Sequence, residues 1–388
     1  MDNLNQKIEF KHGHIYLETD ENHAVSGQEL NGRVHLYLTQ PFPAASLDIV
    51  MKGIEAVKWV SGEGTENKRK HEKINTLTDT RQIIYSFPQS IAMPGQYTFP
   101  FRILIPAGLP CSLMFAGTRR SRAMVNYSLF AILKPEENTT LEEMKYKTDI
   151  SMREPIENIR TDFDSCIESK INSWFGLRKH GEVKLKLKFD KDFYLSNEMV
   201  VVQCDIDNSQ CKIPIKKIKM SLKQVIKLKS GTGTFLNRYT KWKNYYEGIP
   251  KREQTGESSK VMEMNLKFVN GNINRGLEEI FTLETTDITL LTKQLQPSTS
   301  GTYANISYIV SVKLYYGIKS RRSTKCEVPI IIQPCEEEED AKVEAPEGWS
   351  PIQIQQEGDI EASSPSLAAS PEDIQYVDPE WNQNLKKN

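Results

Sequence analysis

The sequence predicts an all-β fold, with two tandem immunoglobulin-like β-sandwich domains followed by a disordered acidic tail. Apolar residues alternate with polar ones in many short runs, which is the period of a half-buried strand. Clusters of Gly, Pro, Asn and Ser separate those runs, and helical periodicity is scarce. The pattern also starts again halfway along the 388 residues. We therefore divide the chain into an N-terminal sandwich (1–155), a linker (156–180), a C-terminal sandwich (181–335) and the tail (336–388).

The first 155 residues contain strand-period runs separated by turns. Turn residues from Val25 to Gly32 precede a run in which Val34, Leu36 and Leu38 alternate with polar neighbours. The other alternating sets are Ile8 and Phe10; Ile15 and Leu17; Leu47, Ile49 and Met51; Ile83, Tyr85 and Phe87; and Val125, Tyr127, Leu129, Ala131 and Leu133. The Gly-, Glu- and Lys-rich stretch 61–73 predicts a solvated loop.

The stretch PGQYTFPFRILIPAGLPCS, from Pro94 to Ser112, predicts a core strand with a defined beginning and end. A Pro-Gly turn opens it, and a further group of Pro and Gly residues closes it. Between these turns, five apolar residues fall on one face of an extended strand: Tyr97, Phe99, Phe101, Ile103 and Ile105.

Residues 156–180 show little periodicity, so we expect a connection between the domains there. Within this linker, the apolar group Trp174-Phe175-Gly176 is expected to fill the domain junction rather than to bind a ligand.

Two lysine-rich strands are expected in the second domain. The first places Lys184, Lys186 and Lys188 on one face, about 6.6 Å apart, with apolar residues between them. In the second, one side has Ile218, Met220, Leu222, Ile226 and Leu228, and the other side has Lys217, Lys219, Lys223, Lys227 and Lys229. No acidic residue occurs between Lys212 and Lys229, so we expect these lysines to lack carboxylate partners.

Two interpretations of the lysine faces remain open. Lysines on a solvated sheet face can discourage edge-to-edge pairing. Alternatively, lysines held on a rigid sheet can bind anions such as the phosphates of a receptor tail, an inositol phosphate or a phosphoinositide headgroup.

The two halves of the chain also resemble each other. Ser196-Asn197-Glu198 before an apolar run mirrors Ser26-Gly27-Gln28, and the alternating run Ile306–Val312 repeats Val125–Ala131. A repeat of this size predicts two related domains rather than one large sheet.

The net charge of −1 conceals a strong asymmetry. The tail has 14 acidic and 3 basic residues, whereas residues 1–335 have 37 acidic and 47 basic ones. The composition of the tail predicts disorder. Ser350, Ser364 and Ser370 each precede proline and are candidate phosphorylation sites. Ile352 alternates with glutamines, and we expect the tail to fold back on the basic body, with one segment adding to a sheet edge.

Several functional classes find little support in the sequence. No apolar stretch is as long as a membrane span. The first ten residues lack the basic and then apolar segments of a signal peptide, so we expect a cytoplasmic protein. The six cysteines contain no C-x-x-C pair. No Ser-His-Asp order, H-E-x-x-H, P-loop or G-x-G-x-x-G stands out. We therefore expect no enzyme, catalytic residue, metal site or cofactor.

The histidines and lysines each prompt one further alternative. The six histidines are His12, His14, His23, His35, His71 and His180, and most are expected in loops or at exposed strand positions. His12 and His14 alone are too few to hold a metal. Binding of nucleic acid is not expected, because aromatic residues do not interleave with the lysines.

Four segments in order resemble the arrestin family. The stretch Pro94–Ser112 resembles its signature strand, and the V-x-Y-x-L strand follows at Val125. Lys191–Leu228 resembles the opening of the arrestin C-terminal domain, with its K-K-I-K strand and downstream Gln, and QPSTSGTYANISYIVSVKLYY resembles its closing strands. The resemblance covers residues from about 10 to 335 and implies the arrestin fold of two β-sandwiches joined by a short linker.

The resemblance also implies a function without catalysis. Arrestin-fold proteins are adaptors that link membrane cargo, often receptors with phosphorylated tails, to ubiquitin ligases or coat components. Membrane-protein cytoplasmic tails, such machinery and anionic lipid headgroups are therefore the expected partners, with recruitment to the plasma membrane or endosomes. In the classical arrestins, basic residues on the K-K-I-K strand help to bind inositol phosphates, and Lys219 and Lys223 fall at similar places. Lys7 and Lys11 are loose counterparts of phosphate-sensing lysines.

The short connection and the S-W-F-G segment resemble the α-arrestin (arrestin domain-containing) branch most. That branch usually carries P-P-x-Y motifs for ligase WW domains, whereas this sequence contains no Pro-Pro pair. Two other functions remain as alternatives, namely an arrestin-fold subunit of a retromer-type sorting complex and a phosphoinositide-binding or anion-binding module.

Overall fold

The computed structural model describes residues 10–62, 66–137, 139–172, 179–255, 260–266, 295–316, 323–335 and the backbone of 352–353. The predicted all-β class is confirmed. Within these ranges, the regular structure is extended strand apart from one 3-10 turn at Pro88–Ser90. The strands form four sheets, which pack as two sandwich-like domains.

The N-terminal domain contains the first nine strands. They are β1 (Gly13–Thr19), β2 (His23–Val25), β3 (Glu29–Leu38), β4 (Ala44–Ser61), β5 (Arg69–Ser86), β6 (Gly95–Leu104), β7 (Leu113–Ala116), β8 (Arg122–Pro135) and β9 (Met144–Arg153). One sheet has the order β1-β3-β6, and the other has the order β2-β9-β8-β4-β5 with β7 beside β8. Their inner faces bury alternate residues, as the period-two pattern predicts.

The C-terminal domain repeats this arrangement. Its strands are β10 (Thr161–Asn172), β11 (Lys179–Lys191), β12 (Phe193–Leu195), β13 (Met199–Asp207), β14 (Ile215–Ser230), β15 (Gly233–Ile249), β16 (Lys260–Asn265), β17 (Thr299–Ser300), β18 (Ala304–Tyr316) and β19 (Lys325–Gln333). One sheet has the order β10-β11-β13-β16, and the other has the order β12-β19-β18-β14-β15 with β17 beside β18.

Strand β6 is the core strand expected within Pro94–Ser112. Phe99 and Phe101 are 2% and 3% exposed, whereas Leu104 on the opposite face is 68% exposed. Beyond the strand, the Tyr127 hydroxyl donates a hydrogen bond of 2.8 Å to the carbonyl oxygen of Pro110. This buried bond fixes the Pro-rich exit from β6 against β8.

Three details of the expected organisation are wrong. Thr161–Asn172, assigned to the linker, form β10 and pair with β11. The expected loop at 61–73 already belongs to β5 from Arg69 onward. Ile84 rather than Ile83 is buried, because the β4–β5 register shifts between Leu47 and Asp48 and inverts the side-chain alternation.

His71 also departs from the expectation of an exposed or loop position, since it is buried where the domains meet. Its ring stacks on Trp59 with centroids 4.8 Å apart. Its Nε2 lies 2.8 Å from the Ser61 hydroxyl, and its Nδ1 lies 2.9 Å from the Thr232 hydroxyl of the other domain. The β4–β5 hairpin therefore contacts the β14–β15 turn.

A short tail segment joins the N-terminal domain. Strand β20 (Ile352–Gln353) pairs in parallel with Tyr97 and Thr98 at the free edge of β6. The position agrees with the expected addition of one segment to a sheet edge. Other predicted features lie outside the described residues: Lys7, Ile8, the Trp174–Gly176 group, Ser350, Ser364 and Ser370.

The packing of β6 generates a stability prediction. Phe99→Ala removes a buried aromatic ring and should lower the free energy of unfolding by about 3 to 5 kcal/mol, as measured by urea denaturation. Leu104→Ala on the exposed face of the same strand is the control and should change it by less than about 0.5 kcal/mol. Equal losses in the two variants would contradict the assigned orientation of β6.

Candidate anion-binding site

The seven predicted lysines lie on two different sheets. Lys184, Lys186 and Lys188 project from β11, whereas Lys217, Lys219, Lys223 and Lys227 project from β14. The apolar residues that alternate with them are buried in both strands. Because the two sheets stack face to face, their outer faces point away from each other. The lysines therefore cannot form one continuous site.

The β11 lysines are neutralised by carboxylates that the sequence analysis did not anticipate. Lys184 lies 2.7 Å from Glu168, Lys186 lies 2.5 Å from Asp164, and Lys188 lies 3.6 Å from Asp205. Hydrogen bonds to Glu168 and Asp164 raise the pKa of Lys184 and of Lys186. Both carboxylates belong to β10, the strand hidden in the expected linker. The expectation that lysines lack carboxylate partners was based on the second lysine-rich strand, and it does not hold for this face.

Lys223 is also paired. Its ammonium group lies 2.8 Å from Glu327 of β19 and donates a hydrogen bond of 3.2 Å to Ser311. Lys325 approaches the same carboxylate at 2.6 Å. Burial would raise the pKa of Glu327, but the hydrogen bonds from Lys223 and Lys325 outweigh it and lower the pKa from 4.5 to about 2. Glu327 therefore remains ionised at neutral pH and reduces the charge that Lys223 offers.

Lys217 and Lys219 have a different environment at the other end of β14. Neither forms an ion pair within 4 Å with a carboxylate of the described residues, although Glu247 is the cross-strand neighbour of Lys217. The Lys217 ammonium lies 4.8 Å from the ring centroid of Tyr245 and 5.3 Å from that of Tyr315. The rings hold the ammonium group by cation–π attraction without cancelling its charge.

Lys313 completes this group. It is the cross-strand neighbour of Lys219 on β18, and its ammonium lies 5.0 Å from the Tyr315 ring. Lys219 itself lies 6.0 Å from the Tyr245 ring. We call Lys217, Lys219, Lys313, Tyr245 and Tyr315 the lysine–tyrosine cluster. It lies on the outer face of three adjacent strands.

Lys227 is exposed on β14 but stands apart from the lysine–tyrosine cluster. Eight residues separate it from Lys219, a distance of about 26 Å along an extended strand. Its cross-strand neighbours are Leu236 and Asn305, so they contribute no charge to a site. The structure therefore brings together two of the seven predicted lysines and adds Lys313.

The aromatic members of the cluster correct one premise of the sequence analysis. Aromatic residues do interleave with lysines, but they come from β15 and β18 rather than from the lysine-rich strand itself. The paired aromatics Tyr245-Tyr246 and Tyr315-Tyr316 were visible signals. Only the strand register places one residue of each pair beside Lys217.

Within the described part of the chain, no group of three or more His, Cys, Asp or Glu side chains is placed to hold a metal ion. Among the same residues, none of the helical structure is long and apolar enough to cross a membrane.

Two comparisons with known families match most of the chain. The model of the arrestin (or S-antigen) N-terminal domain matches residues 13–155. The model of the arrestin (or S-antigen) C-terminal domain matches residues 179–337. A search of curated proteins returned no match.

The Lys223–Glu327–Lys325 group predicts a pH dependence of stability. Because the folded pKa of Glu327 lies below its unfolded value, the ionised carboxylate stabilises the fold at neutral pH. This contribution should be lost as the pH falls from about 4.5 to about 2. In urea denaturation across this range, Glu327→Gln should show a smaller loss of stability than the parent. Glu263→Gln, an exposed change in the other sheet, should match the parent.

Proposed function

Because the chain belongs to the arrestin family, we propose that it is an adaptor that binds the cytoplasmic tails of membrane proteins. Proteins of this family are generally adaptors without catalytic activity. In this proposal the adaptor links its cargo to trafficking or ubiquitination machinery. The lysine–tyrosine cluster is the observation that supports binding of a phosphorylated tail.

The geometry of the lysine–tyrosine cluster suits a phosphate group. Lys217 and Lys219 occupy alternate positions of one strand, about 6.6 Å apart, and Lys313 is directly across from Lys219. Directly paired residues on neighbouring strands bring their Cβ atoms within about 5.5 Å of each other. Three ammonium groups can therefore converge on one anion. Because β14 is hydrogen-bonded on both sides, the site is largely preorganised.

The ion pairs elsewhere on the domain support the choice of the lysine–tyrosine cluster as the phosphate site. An incoming phosphate at β11 or at Lys223 would have to displace a carboxylate already in place. At the lysine–tyrosine cluster it meets cations that contact tyrosine rings and that, within the described part of the chain, have no carboxylate within 4 Å. The proposed site therefore contains Lys217 and Lys219 with Lys313, and it leaves out Lys184, Lys186, Lys188, Lys223 and Lys227.

The finer assignments are also proposals. We place the chain in the α-arrestin branch because of its short connection and S-W-F-G segment. With no Pro-Pro pair in the sequence, a ubiquitin ligase or coat component would bind through a contact other than P-P-x-Y. The adaptor is cytoplasmic and is recruited to the plasma membrane or to endosomes by its cargo.

We further propose that the acidic tail restrains the adaptor. Strand β20 ties the tail to β6, and the 14 acidic residues of the tail can then compete with anionic ligands for the basic body. Phosphorylation at Ser350, Ser364 or Ser370 would add negative charge to this competitor.

The lysine–tyrosine cluster generates a binding prediction. We expect the triple variant Lys217→Ala, Lys219→Ala, Lys313→Ala to bind a phosphoserine-containing peptide on the order of 100-fold more weakly, taking about 1 kcal/mol for each lysine. The measurement is fluorescence anisotropy at two salt concentrations, since an ionic contact weakens with salt. Vesicles containing a phosphoinositide provide a second arm, and a loss confined to vesicles would favour the lipid-binding alternative.

A matched control separates a local site from overall charge. The triple variant Lys184→Ala, Lys186→Ala, Lys188→Ala removes the same charge from lysines that are already ion-paired, and its affinity should stay close to that of the parent. An equal loss of phosphopeptide affinity in both triple variants would contradict the assignment of the site.

The tail generates a separate prediction. A chain ending at Cys335 should bind the phosphopeptide more tightly, and amides of residues 95–99 should exchange hydrogen faster once β20 is gone. Ile352→Pro keeps the charge of the tail but removes an N–H and disfavours the paired strand, so it should reproduce the faster exchange. Unchanged exchange in both variants would refute the proposed docking of the tail.

A further inference from the structure

The turn between β17 and β18 is held by two carboxylates from the other domain. Glu55 of β4 is fully buried, and its Oε1 accepts hydrogen bonds from the backbone N–H groups of Tyr303 (2.9 Å) and Ala304 (2.7 Å). Both donors belong to the C-terminal domain. Glu55 therefore connects the centre of the N-terminal sheet to the first residue of β18.

Glu154 makes the second connection, just after β9. Its Oε1 accepts hydrogen bonds from the Thr299 hydroxyl and from the Ser300 N–H at 3.2 Å. The same oxygen accepts the N–H of Cys111 at 3.3 Å within its own domain. The two carboxylates thus contact both ends of one short turn, residues 299–304.

A glycine in the turn makes room for Glu55. A Cβ atom built on Gly301 would lie 2.3 Å from Oε1 of Glu55 and 3.0 Å from the carbonyl oxygen of Ala304. The backbone of Gly301 is not in the left-handed region, so a larger residue would meet no conformational penalty there. Glycine is needed at this position because the carboxylate approaches so closely.

Burying a carboxylate is unfavourable unless hydrogen-bond donors compensate it. Two backbone N–H groups compensate Oε1 of Glu55, whereas Oε2 is buried and has no hydrogen-bond partner among the described residues. The Ala304 N–H depends equally on this oxygen, because Ala304 is fully buried. A shift of one domain that breaks this contact while keeping water out would leave the buried carboxylate oxygen and the Ala304 N–H unpaired, so the contact favours one relative arrangement of the domains.

We infer that Glu55 and Glu154 form an interdomain clamp that fixes the orientation of the C-terminal domain against the N-terminal domain. Both are positioning residues, since they act on the backbone of the turn rather than on a ligand. The clamp holds the first residue of β18, the strand that carries Lys313 further along. The lysine–tyrosine cluster and the β6 edge are thereby kept at a fixed separation.

The clamp can be tested by measuring the distance between the domains. Spin labels on cysteines introduced at the exposed positions Leu104 and Leu236 report one site in each domain, with the accessible Cys166 and Cys335 replaced by serine. In the full chain we expect one narrow distance distribution by double electron–electron resonance. Glu55→Ala should broaden it, because the N–H groups of Tyr303 and Ala304 lose their acceptor.

Three further variants make the outcome specific. Glu55→Gln keeps an acceptor oxygen and should largely restore the narrow distribution. Gly301→Ala disrupts the same contact from the C-terminal domain, because the added methyl group would displace the Glu55 side chain. It should broaden the distribution even if Glu55→Ala fails to fold. Gly231→Ala is the control, since its methyl group meets nothing within 4 Å.

A narrow, unshifted distribution in both Glu55→Ala and Gly301→Ala would overturn the clamp. The measurement uses no ligand, so its result is independent of whether the lysine–tyrosine cluster binds phosphate.

Discussion

The pairing register of β14 is the constraint on which the rest of the C-terminal domain depends. The strand is hydrogen-bonded to β15 on one side and to β18 on the other for most of its 16 residues. A slip of one residue would turn its buried side chains to solvent and its lysines into the core. Gln224 adds specificity, because it is fully buried and donates a hydrogen bond of 2.7 Å to the Tyr308 hydroxyl. Only one register satisfies this pair while keeping Lys217 and Lys219 outside.

Lysines alternate with apolar residues on both β11 and β14, but their surroundings differ. Residues from the other strands of each sheet determine whether a lysine is paired with a carboxylate. On β11 each lysine meets a carboxylate from β10 or β13, so the face consists of exposed ion pairs. Such pairs contribute little to stability, but they remove the positive potential that a phosphate would seek. On β14 the neighbouring strands supply tyrosine rings near one end, and Glu327 of β19 reaches Lys223 near the middle. One strand therefore carries both neutralised and available lysines.

Much of the fold was predictable because burial in a sandwich leaves a strong local pattern. The core strand β6 and the alternation of β11 and β14 follow directly from the sequence. Strand β10 was missed because Ser165 and Ser169 interrupt the apolar residues on its inner face and weaken the alternation. Ile83 was assigned to the inner face in error, because a bulge in β5 shifts the alternation and no pattern in the sequence indicates that bulge.

The candidate site was harder to predict than the fold. Lys217 and Lys219 could be named from one strand, but Lys313, Tyr245 and Tyr315 belong to strands distant in sequence. Glu55 left no signal at all, because a buried carboxylate and an exposed one look alike until the partner turn is known. Interactions that depend on register between remote segments are visible only in the folded chain.

The position of β20 has a consequence for solubility. Sheet edges with unpaired N–H and carbonyl groups invite other chains to add strands, which leads to aggregation. In the N-terminal domain the chain covers part of the β6 edge with its own residues Ile352 and Gln353. A second copy therefore cannot pair with Tyr97 and Thr98 while β20 is in place. The tail segment at Ile352 and Gln353 thus prevents self-association along that part of the edge.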